Sequence, residues 1–391
     1  MTRLKNVDAL RGFALMGILA VNIWSFADPY FASGVINPRY PGVLDVAGRF
    51  VAAMLFESKF YLLFSFLFGY SFTLQTAAAE RAGAAFRPRM MRRSAGLIVL
   101  GVLHGCLLYY GDILHLYGLL SFVLIAWKAS QRQTLRAAVV FLFLAASMLT
   151  SLGVLVMLSP DAAAPDLKVV AAKLAAFHGN AHATQAYTTG EFPSTAALLM
   201  FGQGPSAMAM FLFGLAAGRQ QLFAHVDSFR HLLPRVLRIG LPVGLGGAVL
   251  YATASEFASG GTTIIFVTAF NYLTAPFLTA TYVALLLMLF DSRYGARVMS
   301  ALAPMGKIAL SNYLMQSLVM ALLFTGYGLR LCDELSPLSV LALVPAIYFT
   351  QMAVSAWWLR RHNYGPAEWL LRALTNWDWM PQDAGSQPPL R

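Results

Sequence analysis

A histidine and an aspartate stand at a spacing that suits acid–base chemistry in this 391-residue chain. His104 lies in an apolar run between Gly101 and Gly105, and Asp112 follows eight residues later, about two helical turns away and on roughly the same face. A histidine held by a carboxylate has the arrangement of a general base with an orienting partner. The alternative is a structural histidine bonded to a backbone carbonyl or a tyrosine. An ionisable side chain at membrane depth is costly, which keeps the functional hypothesis open.

The first apolar stretch carries three more polar side chains. Asp8 and Arg11 stand three residues apart, a spacing at which they can pair. The alternative is a carboxylate at a helix start beside an arginine placed by topology. Asn22, three turns deeper, needs hydrogen-bond partners in apolar surroundings.

Two other groups are candidates for substrate binding. Arg89, Arg92 and Arg93 lie at the start of the apolar run that contains His104, where guanidinium groups suit phosphates. The alternative is again simple topology. A polar stripe opens a later apolar run and predicts either a substrate cavity or hydrogen bonds between helices. It contains Ser311, Asn312 and Gln316.

No metal site is expected from the sequence. His178 and His182 stand four apart, but Gly179 and Asn180 lie between them and no third ligand is evident. A phosphate-cradling glycine loop and a serine-hydrolase elbow are also missing from the sequence.

The composition identifies the elements that must hold these residues. The chain is 58% hydrophobic and 12% charged, with a mean hydropathy of +0.63, whereas soluble domains are about 45–50% apolar and about 25% charged. This predicts an all-α polytopic membrane protein. The net charge of +11 is spread over short clusters between apolar runs, which excludes a nucleic-acid-binding surface and predicts contact with membrane lipid.

About ten stretches are long and apolar enough to predict transmembrane helices. They are 8–26, 59–79, 94–111, 113–129, 136–158, 195–217, 239–257, 264–290, 307–326 and 337–359. With both termini in the cytoplasm, most of the 28 Lys and Arg fall in cytoplasmic segments, as the positive-inside rule requires.

This topology predicts a single transmembrane domain, 1–391, with extracytoplasmic loops at 27–58 and 159–194 and a cytoplasmic tail at 360–391. The first loop contains an amphipathic piece at 43–56, and the second has helical spacing at 166–178. The tail predicts an interfacial helix at 365–374 with an ion pair between Glu368 and Arg372. The sequence FLFG at 66–69 recurs at 211–214, which indicates a weak parallel repeat.

Five segments carry a resemblance to a known family. They are VDALRGFALMGI at 7–18, KFYLLFSFLFG at 59–69, LHG at 103–105 with GDIL at 111–114, ALSNYLMQS at 309–317 and GPAEWLLR at 365–372. In this order they resemble the YeiB family of bacterial membrane proteins, which carry a domain of unknown function. The resemblance covers essentially the whole chain.

The family is distantly similar to transmembrane acyltransferases, namely acyltransferase family three and heparan-alpha-glucosaminide N-acetyltransferase. The resemblance implies transfer of an acyl group from cytosolic acyl-CoA to an acceptor across the membrane. Arg11 matches the arginine of their first-helix signature, but Asn22 stands where they have histidine, and an amide is no general base. A second histidine is also missing before the next helix, where this chain has Glu57 and Lys59, expected to bind substrate.

These observations leave three functional hypotheses. The first is a membrane acyltransferase in the bacterial inner membrane, with acyl-CoA as donor, a sugar or lipid acceptor, His104 as base with Asp112, and Asn22 as a carbonyl donor. The alternative is a transporter or flippase of a lipid, sugar or small metabolite, and the third is a structural protein. Self-association into a homo-oligomer is compatible with all three. An acyltransferase requires a tunnel from the arginines to His104, whereas a transporter requires a closed central cavity with two gates.

Overall fold

The computed structural model describes residues 4–31, 33–81, 83, 85–159, 167–258 and 261–376, and no strand occurs among them. Residue 32 of the first predicted loop, residues 160–166 of the second and tail residues 377–391 lie outside the described residues. The helices of the first half are α1 (Lys5–Ala27), α2 (Val43–Leu55), α3 (Lys59–Arg81), α4 (Phe86–Leu107), α5 (Leu114–Ala126), α6 (Gln131–Leu158), α7 (Leu167–His178) and α8 (Ala181–Gly202).

The helices of the second half are α9 (Gly204–Arg219), α10 (Val226–Phe229), α11 (Leu233–Phe257), α12 (Gly261–Phe290), α13 (Gly295–Lys307), α14 (Ala309–Phe324), α15 (Pro337–Trp358) and α16 (Pro366–Asn376). The local sequence explains where several helices begin. Ser130 and Gln133 form a capping box at α6, Asn180 caps α8, and Ser336 caps α15, which begins with proline.

Seven helical segments in the described part of the chain are long and apolar enough to cross a membrane, or nine if each of two bent helix pairs is one span. This makes the chain a multi-pass membrane protein. The predicted window 113–129 corresponds to α5, which has 13 residues. At 1.5 Å per residue α5 is about 20 Å long, shorter than a hydrocarbon core of about 30 Å, so it does not span alone.

Two predicted spans are broken helices. The window 195–217 contains the end of α8 and most of α9, which meet at Gln203 with a bend of 54°. The window 307–326 contains the end of α13 and all of α14, which meet at Ile308 with a bend of 77°. Glycine and proline flank both breaks, which explains why the hydrogen-bond ladder stops there. Neither break was predicted.

The outward face of α6 explains how the bundle meets lipid. Val140, Phe143, Leu155 and Leu158 are each more than half exposed on this helix. A soluble protein rarely exposes a contiguous apolar face of this length, whereas hydrocarbon solvates it without cost.

The predicted repeat packs against itself. A Cβ at Gly69 would lie 2.0 Å from the Phe211 carbonyl oxygen, and one at Gly214 would lie 2.0 Å from the Phe66 carbonyl oxygen. The two FLFG segments therefore cross at reciprocal glycines, where backbones approach closely. At the equivalent positions Tyr61 and Ser206, the two hydroxyls bond to each other at 2.9 Å.

With the flanking helices, each copy of the repeat contains four helices. In the first copy α4 packs on α5, and in the second α11 packs on α12. Across the copies, α4 packs on α8 while α11 packs on α2, and α12 contacts α3 while α5 contacts α9. The helices α2 to α5 and the set α8, α9, α11 and α12 are thus related by a pseudo-two-fold arrangement, as in parallel repeats of membrane proteins.

Polar contacts join the segments at the end of the bundle opposite the start of α1. Arg39 contacts Glu334 at 3.0 Å, and the Lys173 ammonium donates to the Asp28 carbonyl at 3.0 Å. His178 Nε2 lies 2.7 Å from the Cys332 carbonyl oxygen, so this histidine serves the packing of the loops. Within the described residues, the segment 27–58 contains α2, the segment 159–194 contains α7 and the start of α8, and both segments are bonded to the connection between α14 and α15.

The last helix, α16, corrects a predicted contact. Glu368 does not pair with Arg372 in the described structure. Its Oε1 accepts the backbone N–H groups of Leu310 and Ser311 at 2.6 and 3.2 Å, and its Oε2 accepts the Ser311 hydroxyl. Arg372 instead lies over the Tyr364 ring at 4.8 Å. Glu368 thus caps the first turn of α14, where an anion is favourable.

Candidate functional site

One large cavity of about 930 Å³ runs through the helix bundle. On α1 its lining extends from Asp8 to Ser25, which is about 25 Å along the helix axis. This length approaches the thickness of the hydrocarbon core. Both helix breaks reach the cavity, because Gln203 and the segment around Gly306 lie in its wall.

The end of the cavity near the start of α1 is basic and is called the arginine end here. All the cationic side chains of the described lining are found there: Arg11, Arg81, Arg89, Arg93, Lys307 and Arg372. Arg81 and Arg372 are also exposed on the outer surface, which indicates an opening at this end. An opening lined by guanidinium groups suits phosphate ligands.

The predicted arginines differ in what they contact. Arg93 lies in the cavity wall, and its buried Nε has no hydrogen-bond partner among the described residues. Arg89 lines the cavity and is partly exposed. Arg92 is exposed, lies outside the lining and donates to the Thr375 carbonyl at 3.0 Å. Arg89 and Arg93 are therefore the candidates for ligand contact, and Arg92 holds α16 on α4.

Asp8 and Arg11 form the predicted pair in the wall of the arginine end. The Arg11 guanidinium contacts the Asp8 carboxylate at 3.0 Å, and Arg11 also bonds to the Ser71 hydroxyl on α3. Glu368, the cap of α14, lines the same end of the cavity. These contacts join α1 to α3, and α16 to α14, around the opening.

The middle of the cavity is lined by Asn22 and by tyrosines. The Tyr109 hydroxyl makes a long contact of 3.5 Å with Asn22 Oδ1 and lies 3.3 Å from the Ser25 hydroxyl. Because Asn22 accepts through its oxygen, its amide N–H groups remain available to a ligand. Tyr313 of α14 lines the same region.

His104 and Asp112 come together beside this region. His104 Nδ1 lies 2.8 Å from Asp112 Oδ1, and both side chains are buried. The two residues do not meet on one helix face, as the spacing predicted. Instead α4 ends at Leu107, and the chain turns back and brings Asp112 to His104. Gly101 permits the return, since a Cβ there would lie 2.3 Å from the His115 nitrogen.

The start of α5 stabilises the negative charge of Asp112. Its Oδ2 accepts the backbone N–H of His115 at 3.0 Å and lies 3.2 Å from His115 Nδ1. A carboxylate at a helix N-terminus also interacts favourably with the helix dipole. Asp112 therefore holds two imidazoles by Nδ1 and leaves Nε2 of each as the free ring nitrogen, since neither has a partner in the described structure.

His104 is the histidine that faces the cavity side of Asp112. Its ring lies 5.1 Å from Tyr313 and 6.2 Å from Tyr109, and both tyrosines line the cavity. The His115 ring instead contacts Phe192 at 5.3 Å, which is outside the lining. His104 itself does not line the cavity, and Tyr313 of the lining contacts both members of the pair, because its hydroxyl also donates to Asp112 Oδ1 at 3.4 Å.

The other end of the cavity, called the outer end here, carries a second polar group. The Tyr251 hydroxyl donates to Glu57 Oε2 at 2.6 Å, and Asn271 Nδ2 donates to the Ser58 hydroxyl at 3.1 Å. Glu57, Ser58 and Tyr251 line the cavity. Lys59 is fully buried outside the lining and donates to the Ala53 carbonyl at 3.1 Å, which indicates a packing role.

The polar stripe of α14 faces other helices. Asn312 donates to the Ser355 hydroxyl at 2.9 Å, and Gln316 donates to Gln351 Oε1 at 3.0 Å, both on α15. Ser311 bonds to Glu368 on α16. None of the three lines the cavity, which favours the helix-packing alternative for Ser311, Asn312 and Gln316.

Several residues of the site were not anticipated from the sequence. His115 could have been found, because it follows Asp112 by three residues. Tyr109, Tyr251 and Tyr313 carry no such signal, because buried tyrosines are common in helix bundles.

Comparisons with known proteins agree with the resemblance seen in the sequence. A family described as "Protein of unknown function (DUF418)" matches residues 217–378. "Uncharacterized protein YxaH" of Bacillus subtilis (strain 168) is 30% identical over 405 residues, covering 97% of this chain and 96% of that protein. "Uncharacterized protein YeiB" of Escherichia coli (strain K12) is 30% identical over 399 residues, covering 96% and 97%.

Proposed function

This chain belongs to the YeiB family, and we propose that it is a membrane acyltransferase that uses acyl-CoA as donor. The observation that carries the proposal is the continuous cavity. It connects an opening lined by Arg89 and Arg93 with Asn22 and the tyrosines beside His104. A donor with phosphates at one end and a reactive thioester at the other matches this distribution of charge.

The proposed reaction is direct attack of an acceptor hydroxyl or amine on the thioester. The new bond joins the acceptor oxygen or nitrogen to the acyl carbon, and the carbon–sulfur bond breaks. His104 Nε2 takes the acceptor proton and returns it to the leaving thiolate, while Asp112 holds Nδ1 and the imidazolium. Asn22 donates to the carbonyl oxygen as negative charge develops.

His104 must gain access to the cavity for this reaction. His104 lies outside the lining, whereas Tyr109 and Tyr313 line the space beside it, so we expect these two rings to turn aside when the acceptor binds. Such a rearrangement is common, because catalytic hydrogen bonds often tighten only in the substrate complex.

We place the protein in the bacterial cytoplasmic membrane with the arginine end towards the cytoplasm. The excess of Lys and Arg in the segments predicted to be cytoplasmic supports this orientation. It also brings the basic opening to the compartment that contains acyl-CoA.

The donor site is tested by thermal stability in nanodiscs with CoA, acetyl-CoA and longer acyl-CoAs. A ligand at 100 times its dissociation constant stabilises the protein by about 2.7 kcal/mol. Because a hydrogen bond to a charged group contributes about 1.5–3 kcal/mol, Arg93→Gln or Arg89→Gln should weaken the binding of acyl-CoA about tenfold or more.

The control for the donor site is Arg87→Gln, because Arg87 is exposed and lies outside the cavity lining. It should leave the binding of acyl-CoA unchanged. Equal losses in the three variants would mean that only the net charge of the surface matters. No stabilisation by any CoA species would contradict the proposal.

A transporter remains the second candidate because of the broken helices. Transport sites are typically built where discontinuous helices meet a cavity at mid-membrane depth. The breaks at Gln203 and near Gly306 both reach the cavity, and the fold contains a parallel repeat. Uptake or flipping of a substrate by a His104→Ala protein that shows no acyl transfer would favour this candidate.

A further inference from the structure

We propose that the outer end of the cavity is a binding site for a lipid with a hydroxylated, uncharged headgroup, which enters from the bilayer between α8 and α12. In the proposed acyltransferase this lipid is the acceptor, and that identification alone rests on the proposed function. The binding site itself is argued from the lining of the outer end.

The first observation is the chemistry of the outer end. Glu57 accepts one bond from Tyr251 through Oε2, which leaves Oε1 for a further donor. The Ser58 hydroxyl accepts from Asn271, so its own proton is available to an acceptor. Asn271, which holds Ser58, is fully buried and lies outside the cavity lining. Hydroxyl groups, which donate and accept, satisfy such a set.

The backbone at this place is also unusual. Ser58 adopts a positive φ of 69° at the corner between α2 and α3. A non-glycine residue in this region is strained and persists only where neighbours hold it. Here Ser58 lines the cavity, and its hydroxyl is held by the bond from Asn271.

The second observation is the separation of charge along the cavity. All cationic residues of the described lining lie at the arginine end, whereas the outer end carries Glu57. A phosphate near Glu57 would meet like charge, because the nearby Lys59 ammonium lies outside the lining and already interacts with Glu57 and the Tyr251 ring. The headgroup at the outer end is therefore uncharged, unlike the phosphates expected at the arginine end.

The third observation is a thin wall towards the bilayer. Leu198 on α8 lines the cavity and is 65% exposed, so the same side chain meets both the cavity and the lipid-facing surface. Thr195 and Leu199 of α8 line the cavity on one side, and Thr268 of α12 lines it on the other. The helices α8 and α12 scarcely contact each other, because α8 packs mainly on α4, whereas α12 packs mainly on α11 and α6.

The sequence of α8 fits a movable wall. Pro193 lies inside the helix, and Gly190 and Gly202 have open space where a Cβ would be. Glycine and proline lower the stability of a helix interior. An apolar opening beside polar groups admits a headgroup while the acyl chains stay in the bilayer.

Access from the bilayer is tested with a phospholipid that carries maleimide on its headgroup, in phosphatidylcholine nanodiscs. It should label Ser58→Cys above the background of Cys106 and Cys332. A bulky ring at the opening, Leu198→Trp, should slow this labelling at least about tenfold, which corresponds to about 1.4 kcal/mol of barrier. Thr195→Phe is the second blocking variant.

The matched control is Val140→Trp on α6. Val140 is 64% exposed but lies outside the cavity lining, so the same bulk on the lipid face should leave the labelling rate unchanged. Labelling by a water-soluble maleimide alone, or at the same rate with and without Leu198→Trp, overturns lateral entry.

The headgroup is tested by competition against this labelling. Glucosyl diacylglycerol should protect Ser58→Cys more strongly than diacylglycerol or phosphatidic acid, and Glu57→Leu should weaken its protection about tenfold. Better protection by phosphatidic acid overturns the uncharged headgroup, and equal protection by diacylglycerol overturns the role of the hydroxyls.

Acyl-CoA stabilisation of the same variants separates this inference from the proposed function. Lipid protection without stabilisation by any acyl-CoA supports the lipid site and contradicts the acyltransferase. Stabilisation by acyl-CoA without lipid protection overturns the lipid site and leaves the acyltransferase standing.

Discussion

His104→Gln is expected to lower acyl transfer by about 10²–10⁴-fold while acyl-CoA still stabilises the protein. Glutamine can donate to Asp112 and preserve the buried hydrogen bond, but an amide does not accept a proton at neutral pH. The loss therefore reports the base and not the fold. The measurement is transfer of radiolabelled acyl groups from acyl-CoA to the lipid and sugar fractions of membranes that contain the protein.

The matched control for this prediction is His115→Gln. His115 contacts Oδ2 of the same carboxylate, yet its ring packs on Phe192, and neither residue lines the cavity. We expect less than about a tenfold loss, since this histidine has no route to the acceptor. Equal losses for both histidines would indicate that the cluster only stabilises the turn between α4 and α5. Retained transfer by His104→Gln would contradict the role of His104 as base.

The pair of His104 and Asp112 was only partly predictable from the sequence. Apolar length predicted a membrane bundle and a helix in each of the ten windows, because transfer into hydrocarbon depends on composition. Asp112 was assigned to a continuing helix face, whereas the chain turns back after Leu107. Helical periodicity carries no information on a helix end inside the membrane, so the correct pair was predicted from an incorrect geometry.

The breaks at Gln203 and Ile308 were missed for a related reason. Glycine and proline are tolerated in membrane helices, where neighbours supply the lost hydrogen bonds, so their presence does not predict a break. At Ile308 that neighbour is Glu368, whose carboxylate caps Leu310 and Ser311 from another helix. The role of such a residue depends on tertiary contacts, and it was predicted instead to pair with Arg372 on its own helix.

The repeat was only weakly indicated by the sequence and became evident from the contacts between its two copies. FLFG segments are common in apolar sequence, so their recurrence was weak evidence until the two copies were found in contact at reciprocal glycines. The repeat also localises the chemistry. The positions of the second copy that correspond to His104 and Asp112 hold Val249 and Phe257, so the acid–base pair belongs to one copy only.

Gly69→Ala and Gly214→Ala are each expected to destabilise the protein by about 3 kcal/mol. Each new Cβ would lie 2.0 Å from a backbone carbonyl oxygen of the facing helix, and a backbone atom does not move aside as a side chain does. The helices α3 and α9 must separate instead, which loosens the centre of the repeat. The measurement is thermal or denaturant unfolding in detergent, with the monodisperse fraction recorded for each variant.

Two further glycines give matched controls from equivalent positions of the repeat. A Cβ at Gly246 meets nothing within 4 Å, so Gly246→Ala should be neutral or stabilise by about 0.5–1 kcal/mol. Its counterpart Gly101 would place a Cβ 2.3 Å from the His115 nitrogen, so Gly101→Ala should destabilise the turn that holds Asp112. In Gly69→Ala/Gly214→Ala, both clashes separate the same helices, so the double variant should lose less than the sum of the single losses. Full additivity would mean that the two crossings are independent and would contradict a shared pseudo-two-fold contact.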